Sequence, residues 1–359
     1  MQLEKIKVYG LFGEYNYEIA LSPGNLTYLH AQNGMGKSMV IRLVCNILQG
    51  NFEEVRTSPF ERIDLSFDNN TALIVENRNQ ELLVQIQRNE IEEEVSAEEV
   101  RRILPVTFIG PERMYLNDAN GHLVPALPVY MTELANNIQQ AQTDSVPRPV
   151  PKEGRKQVTD AELDTWFRDL EAKVEFIRQA GFAPELPSGF RFPPSRYEIS
   201  QYRDDYLDLA FSLEDYVDRY YRFAESIVVF KDIVNTIYVD KSVQINEKGY
   251  LEARMDRSGT VIPLNKFSSG EKQILLLLYQ LLFRCEPSSL VIIDEPEISL
   301  HVSWQQQLGK TMADVAKLRG LQLIIATHAP AIIHDDWDRA VELKDIKGAA
   351  DENRSIQRQ

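Results

Sequence analysis

The chain has 359 residues, of which 43% are hydrophobic and 26% charged, and these proportions exclude general disorder. Its 39 basic and 54 acidic side chains give a formal net charge of −15, so it lacks the basic character of a strong duplex-DNA binder. The two cysteines, Cys45 and Cys285, lie in apolar runs typical of buried, reduced thiols. Because the start has no apolar leader core and no apolar run reaches membrane-spanning length, we expect a cytoplasmic protein without membrane association.

The N-terminal third alternates apolar and polar residues in the manner of short β-strands. Two strands are predicted around Gly10 and Gly13, and a third at 25–30 leads into a glycine-containing loop. A helix is predicted from Lys37 to Leu48. The next predicted elements are short strands between Ile63 and Gln87, an acidic helix from Ile91 to Arg102, and a strand from Val106 to Ile109.

Proline clusters divide the middle of the chain. Pro125, Pro128 and the segment 146–151 predict a loop or linker. Apolar residues then recur at helical spacing, which predicts an amphipathic helix. The predicted elements are this helix at 160–180, a second proline-rich break at 184–194, and a long helical region from Tyr197 to about Ile237.

The last third returns to alternating strands and helices. The predicted elements are strands at 243–253 and 260–262, a helix at 271–283, strands at 290–293 and 323–326, and a polar tail from Ile346. The helix is apolar on nearly all sides, so we expect it to be buried. The last two strands are continuous apolar runs, which is the pattern of buried parallel strands.

A glycine-containing segment, Ala31-Gln32-Asn33-Gly34-Met35-Gly36-Lys37-Ser38, lies between the third predicted strand and the first helix. Its glycines let backbone N–H groups turn inward, and the helix N-terminus adds partial positive charge. Lys37 can reach the β- and γ-phosphates of a nucleotide, and Ser38 can hold Mg²⁺. The segment therefore predicts a phosphate-binding P-loop, with Ala31 standing where the first glycine is usual.

A second chemical signal is the apolar strand that ends in two carboxylates, Asp294 and Glu295. Asp294 is expected to hold Mg²⁺ through its water shell, and Glu295 to orient or deprotonate an attacking water. Strands that end in solvated acids are common, but the upstream P-loop favours the functional interpretation. Since one Mg·ATP site must engage both motifs, we expect Lys37 and Asp294 within about 15 Å of each other.

The segment Phe267-Ser268-Ser269-Gly270-Glu271-Lys272-Gln273 precedes the predicted buried helix. Ser268 and the amides that follow it form a second helix N-terminus able to bind phosphate. Taken alone, the segment is an ordinary helix cap. Its position about twenty residues before the acidic strand makes the functional interpretation specific.

These motifs occur in an order that resembles the ATP-binding-cassette (ABC) ATPases. The order is the P-loop, FSSGEKQ, the acidic strand with Asp294-Glu295-Pro296, and Ile325-Ala326-Thr327-His328. FSSGEKQ is similar to the family's signature motif in its chromosome-maintenance and recombination-repair branch. The stretch from Glu295 to His301 resembles the overcoming-lysogenization-defect ATPases and stand-alone bacterial defence ATPases. The resemblance covers about 1–113 and 240–345.

The resemblance implies an ATPase that uses ATP and Mg²⁺ and acts as a head-to-tail homodimer. Each of two ATP molecules would lie between the P-loop of one chain and the signature segment of the other. By role, the implied residues are Lys37, Glu295 and the switch histidine His328 for catalysis, Ser38 and Asp294 for the metal, and Asn33, Gly34, Met35, Gly36, Lys37, Ser38, Met39, Ser268, Ser269 and Gly270 for the nucleotide.

The resemblance also concerns His301, the Q-loop and the residue that contacts adenine, and it leaves the last two open. His301 stands where transporter cassettes carry aspartate, and a dimer-interface contact is implied for it. The segment Ile109–Arg113 lies in the region of the family's Q-loop glutamine, with Gln87 as an alternative. Phe12 is a candidate for stacking on adenine, although packing in a core is the more common role for such a side chain.

The patterns together predict an α/β protein: a P-loop ABC-type ATPase head with a mixed sheet core, an antiparallel β subdomain and a short helical insert. We expect an N-terminal ATPase lobe at 1–124, a helical insert or arm at 125–240, a C-terminal lobe at 241–345 and a polar tail at 346–359. The net charge is −15 and the insert carries the one evident basic cluster, so the chain lacks a broad basic face and we expect contact with nucleic acid to be weak. That cluster comprises Arg148, Lys152, Arg155 and Lys156.

Two functions fit this organisation. The insert is shorter than the coiled coils of the repair proteins, and the chain ends soon after His328, where nuclease-fused members continue. We therefore expect an ATPase that controls a separate effector, such as a nuclease or toxin, in bacterial defence or DNA maintenance, with assemblies larger than a dimer left open. The alternative is a nucleotide-locked scaffold that sequesters a partner with little turnover; the presence of Glu295 favours hydrolysis. A transporter cassette is disfavoured by the form of the signature.

Overall fold

The computed structural model describes residues 1–32, 34–89, 91–144, 146 and 158–346. Four sequence predictions lie outside the described residues: the role of Asn33, the proline-rich loop at 146–151 beyond its first residue, the basic cluster between 148 and 156, and the tail beyond Ile346. The chain forms two compact units. The first comprises Met1–Met114 and the chain from Gln280 on, and the second comprises Tyr115–Tyr279. The predicted division into two lobes, an insert and a tail remains a prediction.

The elements of the two units follow one another along the chain. The N-terminal part of the first unit contains β1 (Leu3–Leu11), β2 (Tyr15–Ala20), β3 (Leu26–His30), α1 (Lys37–Leu48), α2 (Phe52–Arg56), β4 (Arg62–Phe67), β5 (Thr71–Arg78), β6 (Glu81–Arg88), β7 (Ile91–Glu94), α3 (Ala97–Arg101) and β8 (Val106–Ile109). The second unit contains β9 (Tyr115–Asn117), β10 (Leu123–Pro125), α4 (Ala126–Thr143), α5 (Asp160–Gln179), α6 (Arg196–Gln201), α7 (Arg203–Ile237), β11 (Lys241–Ile245), β12 (Leu251–Met255), β13 (Val261–Ile262) and α8 (Ser269–Tyr279). The first unit is completed by β14 (Leu290–Asp294), α9 (Val302–Arg319), β15 (Gln322–Thr327), α10 (Pro330–Ile333) and β16 (Ala340–Glu342).

A five-stranded parallel sheet organises the first unit, in the order β16-β3-β15-β14-β8. Every residue of β14 and β15 is buried, which explains why both strands appear in the sequence as unbroken apolar runs. Because all these strands are parallel, the loops after β3, β8, β14 and β15 leave the same edge of the sheet. That edge carries the P-loop, the acidic pair and His328.

A six-stranded antiparallel sheet, in the order β2-β1-β4-β5-β6-β7, belongs to the same unit. Buried and half-buried residues alternate along β4, as expected for a strand with one face on a core. Apolar residues of α1, of this sheet and of the parallel sheet form one continuous hydrophobic core. The predicted α/β class is confirmed. Pairing in the central sheet is parallel, and the antiparallel pairs lie in other sheets.

The second unit is mainly helical. The predicted amphipathic helix is present as α5, whose buried residues recur at helical spacing, and it packs along the 35-residue α7. A small sheet of β11, β12 and β13 follows α7, and α8 then begins at the signature segment. Within the described residues, no helix has both the length and the apolar character that a membrane crossing requires.

The loop predicted from Pro125 and Pro128 is wrong for its first part, because residues Ala126–Thr143 form α4. Pro125 is the N-cap residue, and Pro128 lies in the first helical turn. Backbone N–H groups in that turn have no partner within a helix, so proline removes no hydrogen bond there. The prolines therefore mark the start of a helix.

Two other segments, each predicted as a single element, form two elements in the structure. The acidic segment at 91–102 begins as strand β7, which pairs with β6, and becomes helical only at α3 after the Ser96–Glu99 capping box. The strand predicted at 243–253 is a hairpin of β11 and β12. Its turn contains Gly249 with a φ of +79°, a backbone conformation that favours glycine.

Helices α9 and α10 approach closely at Gly309. A Cβ atom at this position would lie 2.2 Å from the carbonyl oxygen of Ile332 and 3.2 Å from the Tyr28 hydroxyl. Backbone oxygen cannot move aside as the end of a long side chain can. The glycine therefore permits the contact that packs α10 against α9.

Gly309→Ala is expected to lower the free energy of unfolding by about 1–3 kcal/mol, the usual effect of overpacking. This would reverse the gain of about 1 kcal/mol that alanine normally brings to a helix interior. Urea denaturation of the whole chain measures the change. Gln307→Ala, at an exposed position of the same helix, is the control and should stay within about 0.5 kcal/mol of wild type. Equal midpoints for both variants would contradict the predicted clash.

Candidate functional site

The P-loop leaves β3 and leads directly into α1, which begins at Lys37. Gly34 and Gly36 have φ angles of +88° and +76°, which glycine adopts without strain. A Cβ atom at Gly36 would lie 2.9 Å from the Leu11 side chain, so this position also requires a residue without a side chain. The turn therefore directs the chain into a helix whose first N–H groups are available to an anion.

Tyr17 of β2 forms a hydrogen bond to the backbone of the P-loop. Its buried hydroxyl donates a hydrogen bond of 2.7 Å to the carbonyl oxygen of Met35, and burial raises the pKa of this phenol to about 12. Met35 and Met39 pack, half-buried, against the hydrophobic core. Ser38 is also half-buried in the first turn of α1. These contacts hold the predicted phosphate-binding residues in a defined conformation.

Lys37 and Asp294 meet at the edge of the parallel sheet. The Lys37 Nζ lies 3.9 Å from an Asp294 carboxylate oxygen, and only 3% and 2% of the two side chains are exposed. The structure thus brings together the two residues that the sequence predicted within about 15 Å. Neither Lys37 Nζ nor this Asp294 oxygen makes a hydrogen bond within the described part of the chain.

Two buried charged atoms without hydrogen bonds are unfavourable in a folded protein unless a further group satisfies them. Burial lowers the pKa of the Lys37 ammonium, while Asp294, Glu297 and Glu295 act in the opposite direction. An ammonium and a carboxylate of this kind match a nucleotide phosphate and a hydrated Mg²⁺ ion. The residues present therefore fit Mg·ATP.

Glu295 follows Asp294 in a strained turn, with a φ of +49°. Its backbone N–H donates to the carbonyl oxygen of Ala326, and its side chain is one-third exposed. His328, in the loop after β15, has its Nε2 atom 4.0 Å from the Glu295 carboxylate. The predicted base and the predicted switch histidine therefore face each other at the sheet edge.

Arg113 is a residue of this site whose contacts the sequence analysis missed. Its guanidinium donates to the carbonyl oxygens of Gly110 and Pro296 at 3.1 and 3.0 Å, and lies 3.5 Å from that of Glu295. Burial lowers its pKa to about 10. Arg113 thus ties the segment after β8 to the turn that carries Glu295. The available sequence signal was its position just after the short apolar strand at 106–109.

Glu297 is the second missed residue. One of its carboxylate oxygens accepts hydrogen bonds from the Thr327 hydroxyl at 2.7 Å and from the His328 backbone N–H at 2.8 Å. The other oxygen is buried and makes no hydrogen bond within the described residues. Glu297 thereby joins the turn after β14 to the loop after β15.

The signature segment belongs to the second unit. Ser268 and Glu271 cap α8 reciprocally: the Glu271 N–H donates to the Ser268 hydroxyl at 3.3 Å, and the Ser268 N–H donates to the Glu271 carboxylate at 2.8 Å. Lys241 donates to the same carboxylate. Ser269 and Gly270 form the first turn of α8. The Ser268 side chain also hydrogen-bonds the Glu271 carboxylate. The cap therefore uses the hydroxyl proton, and the backbone N–H groups of the first turn are the donors available to an anion.

His301, Gln87 and Phe12 lie in different surroundings. His301 caps α9, with its ring nitrogen accepting from the Ser303 N–H at 3.4 Å. Gln87 lies on β6 of the antiparallel sheet, where it donates to Glu92. Phe12 is 46% exposed, and its ring edge lies 3.1 Å from where a Cβ of Gly36 would be. Phe12 is therefore an exposed aromatic beside the P-loop and not a core side chain.

The chain is similar to known proteins in part of its sequence and in its fold. Residues 158–334 match the family model described as "AAA domain, putative AbiEii toxin, Type IV TA system". The matched segment includes Ser268, Asp294, Glu295 and His328, and begins after the P-loop. A solved SMC head, described as bound to the C-winged helix domain of ScpA, covers 98% of this chain and all of its own length with a TM-score of 0.52 at 12% identity.

Two curated relatives are retron proteins. "Retron Ec83 probable ATPase" of Escherichia coli is 29% identical over 99 residues, which is 24% of this chain and 18% of the relative. "Retron Vc95 probable ATPase" of Vibrio cholerae serotype O1 biovar El Tor is 24% identical over 127 residues, 32% of this chain and 24% of the relative. The chain thus matches less than a quarter of either relative. Together with the motifs, these findings support a P-loop ATPase whose fold is similar to that of SMC heads and whose residues 158–334 are similar to the AAA-domain family.

Proposed function

We propose that this protein is an ABC-type ATPase that dimerises around ATP and controls a separate effector protein. The observation that carries the proposal is the buried pair of Lys37, at the start of α1, and Asp294, at the end of β14, because each side chain has a charged atom that makes no hydrogen bond within the described residues. Phosphate and hydrated Mg²⁺ satisfy such atoms. The strained Glu295 beside this pair supports hydrolysis, and not binding alone.

Each residue has a defined task in this proposal. Bound Mg·ATP would supply the phosphoanhydride bond that is cleaved and the cation that neutralises phosphate charge. The P-loop amides from Gly34 to Met39, with Lys37, would bind the phosphates, and Ser38 and Asp294 would hold Mg²⁺. Glu295 would accept a proton from the attacking water. His328 would donate a hydrogen bond toward the γ-phosphate.

The site would be completed by a second copy of the chain. Ser268 caps the N-terminus of α8 through its reciprocal hydrogen bonds with Glu271, and the first turn of the helix presents its backbone N–H groups. Together they suit a phosphate of a nucleotide held by another subunit. A head-to-tail dimer would use this surface twice, once for each ATP.

A defence role is the proposed setting. Two relatives are named as retron probable ATPases, and the matching family description contains the words toxin and TA system. We propose that the helical insert at 125–240 transmits the state of the ATPase lobes to the effector, such as a nuclease or toxin. DNA maintenance is the second setting, and with a net charge of −15 nucleic-acid contact would be weak there.

ATP-dependent dimerisation tests the proposal. The molecular mass of the Glu295→Gln protein is expected to double when Mg·ATP is added, because slow turnover keeps ATP between the two copies of a dimer. Light scattering after size exclusion measures this mass. The control is the Lys37→Ala, Glu295→Gln double variant, which loses the main phosphate cation and should keep one mass with and without ATP. A Glu295→Gln mass that does not respond to ATP would refute nucleotide-driven dimerisation.

A further inference from the structure

We infer that Glu297 is a positioning residue that sets the place of His328 relative to Glu295. The inference rests on the proposed function, since it concerns two residues expected to act on ATP. The evidence is a hydrogen-bond network between two segments that follow neighbouring strands. Glu297 belongs to the turn after β14, and His328 to the loop after β15, 31 residues further along the chain.

The network fixes the backbone of the loop after β15 that carries His328, which we call the histidine loop. One oxygen of Glu297 accepts from the Thr327 hydroxyl at 2.7 Å and from the His328 N–H at 2.8 Å. The Thr327 oxygen in turn accepts from the Ala329 N–H at 2.9 Å, and Thr327 is fully buried. Three consecutive residues are therefore fixed, directly or through Thr327, to one carboxylate oxygen.

The same turn also carries the predicted base. Only Pro296 separates Glu295 from Glu297, and the ring of His328 lies 4.0 Å from the Glu295 carboxylate. A displacement of the turn would therefore be passed to the histidine loop through Glu297. The base and the histidine would move as a pair and not independently.

The hydrogen bonds that Glu297 accepts make it possible to distinguish a positioning role from a direct catalytic role. Both accepted hydrogen bonds end on one oxygen, while the second oxygen makes none within the described residues. A glutamine carbonyl can accept the same two bonds without the negative charge. A leucine cannot accept either of them, and it leaves two donors of the loop unsatisfied.

Steady-state ATPase kinetics of Glu297→Gln and Glu297→Leu test the role. Glu297→Gln should retain kcat within about threefold of wild type, whereas Glu297→Leu should lower kcat by about tenfold or more, the effect of a misplaced catalytic group. In both variants KM should stay within about threefold, because the phosphate-binding residues are unchanged. Equal losses in the two variants would overturn the inference, since charge would then matter more than the accepted hydrogen bonds.

A double-mutant cycle tests whether Glu297 acts through His328. In a His328→Ala background, adding Glu297→Leu should lower kcat by less than about a further threefold, because the effects of contacting residues are not additive. A further loss as large as in the wild-type background would overturn the inference. Thr327→Val keeps a similar side-chain shape but removes the hydroxyl that donates to Glu297. It should lower kcat by less than Glu297→Leu does. If Glu297→Leu folds poorly, the loss of kcat in Thr327→Val tests the same network.

A structural readout separates this inference from the proposed function. The chain has five histidines, so ring resonances can be assigned in NMR spectra with His328→Asn as the reference. The His328 resonance should shift in Glu297→Leu and remain near its wild-type position in Glu297→Gln. An unchanged resonance in Glu297→Leu would overturn the inference even if the protein hydrolyses ATP. A protein without ATPase activity would refute the proposed function, while the resonance would still decide the positioning role.

Discussion

Glu295→Gln should bind Mg·ATP with near wild-type affinity and hydrolyse it at least about 100-fold more slowly. The amide keeps the size of the carboxylate but cannot take a proton from water. The ammonium and carboxylate that are expected to bind the phosphates and Mg²⁺ belong to Lys37 and Asp294, which the variant retains. A fluorescent ATP analogue measures binding, and phosphate release measures turnover.

Glu92→Gln is the matched control for this prediction. It removes one negative charge from an exposed strand of the antiparallel sheet, and its turnover should stay within about twofold of wild type. A Glu295→Gln protein with near wild-type turnover would show that Glu295 is not the base. Lost binding in the same variant would assign Glu295 to nucleotide affinity instead.

A mixture of two inactive variants should regain activity if each ATP site is shared between two chains. Lys37→Ala removes the main phosphate cation, and Ser268→Arg blocks the opposing surface, so each variant alone should be nearly inactive. A heterodimer of the two has one site with both lesions and one site with neither. Random pairing makes about half of all dimers mixed, so about a quarter of all sites are intact. Phosphate release should therefore recover to about a quarter of wild type.

The control mixture combines Lys37→Ala with Glu295→Gln. Both lesions then belong to the same side of the composite site, so no pairing restores an intact site and no recovery is expected. Subunit exchange is verified beforehand by energy transfer between labelled chains. No recovery in an exchanging mixture of Lys37→Ala and Ser268→Arg would refute independent shared sites. Substantial activity of Ser268→Arg alone would remove the role of Ser268 across the dimer.

Most local elements of the first unit were predictable, because their signals lie within a few neighbouring residues. The helix from Lys37 to Leu48 has its predicted bounds, since glycine turns and apolar periodicity are short-range features. The buried strands β14 and β15 follow from continuous apolar runs. By contrast, strand β7 forms in an acidic segment because it pairs with β6, a tertiary contact that overrides local composition.

The sequence by itself determined the P-loop, the acidic strand end and the P-loop ATPase that they indicate, since each motif is a contiguous run with its own chemistry. Only the tertiary structure decided which other side chains complete the site. Arg113 contacts carbonyl oxygens 182 and 183 residues away, and Glu297 binds a loop 30 residues further along the chain. These contacts depend on the order β8-β14-β15 in the parallel sheet. Strand order arises from packing between distant segments, and no local pattern of residues encodes it.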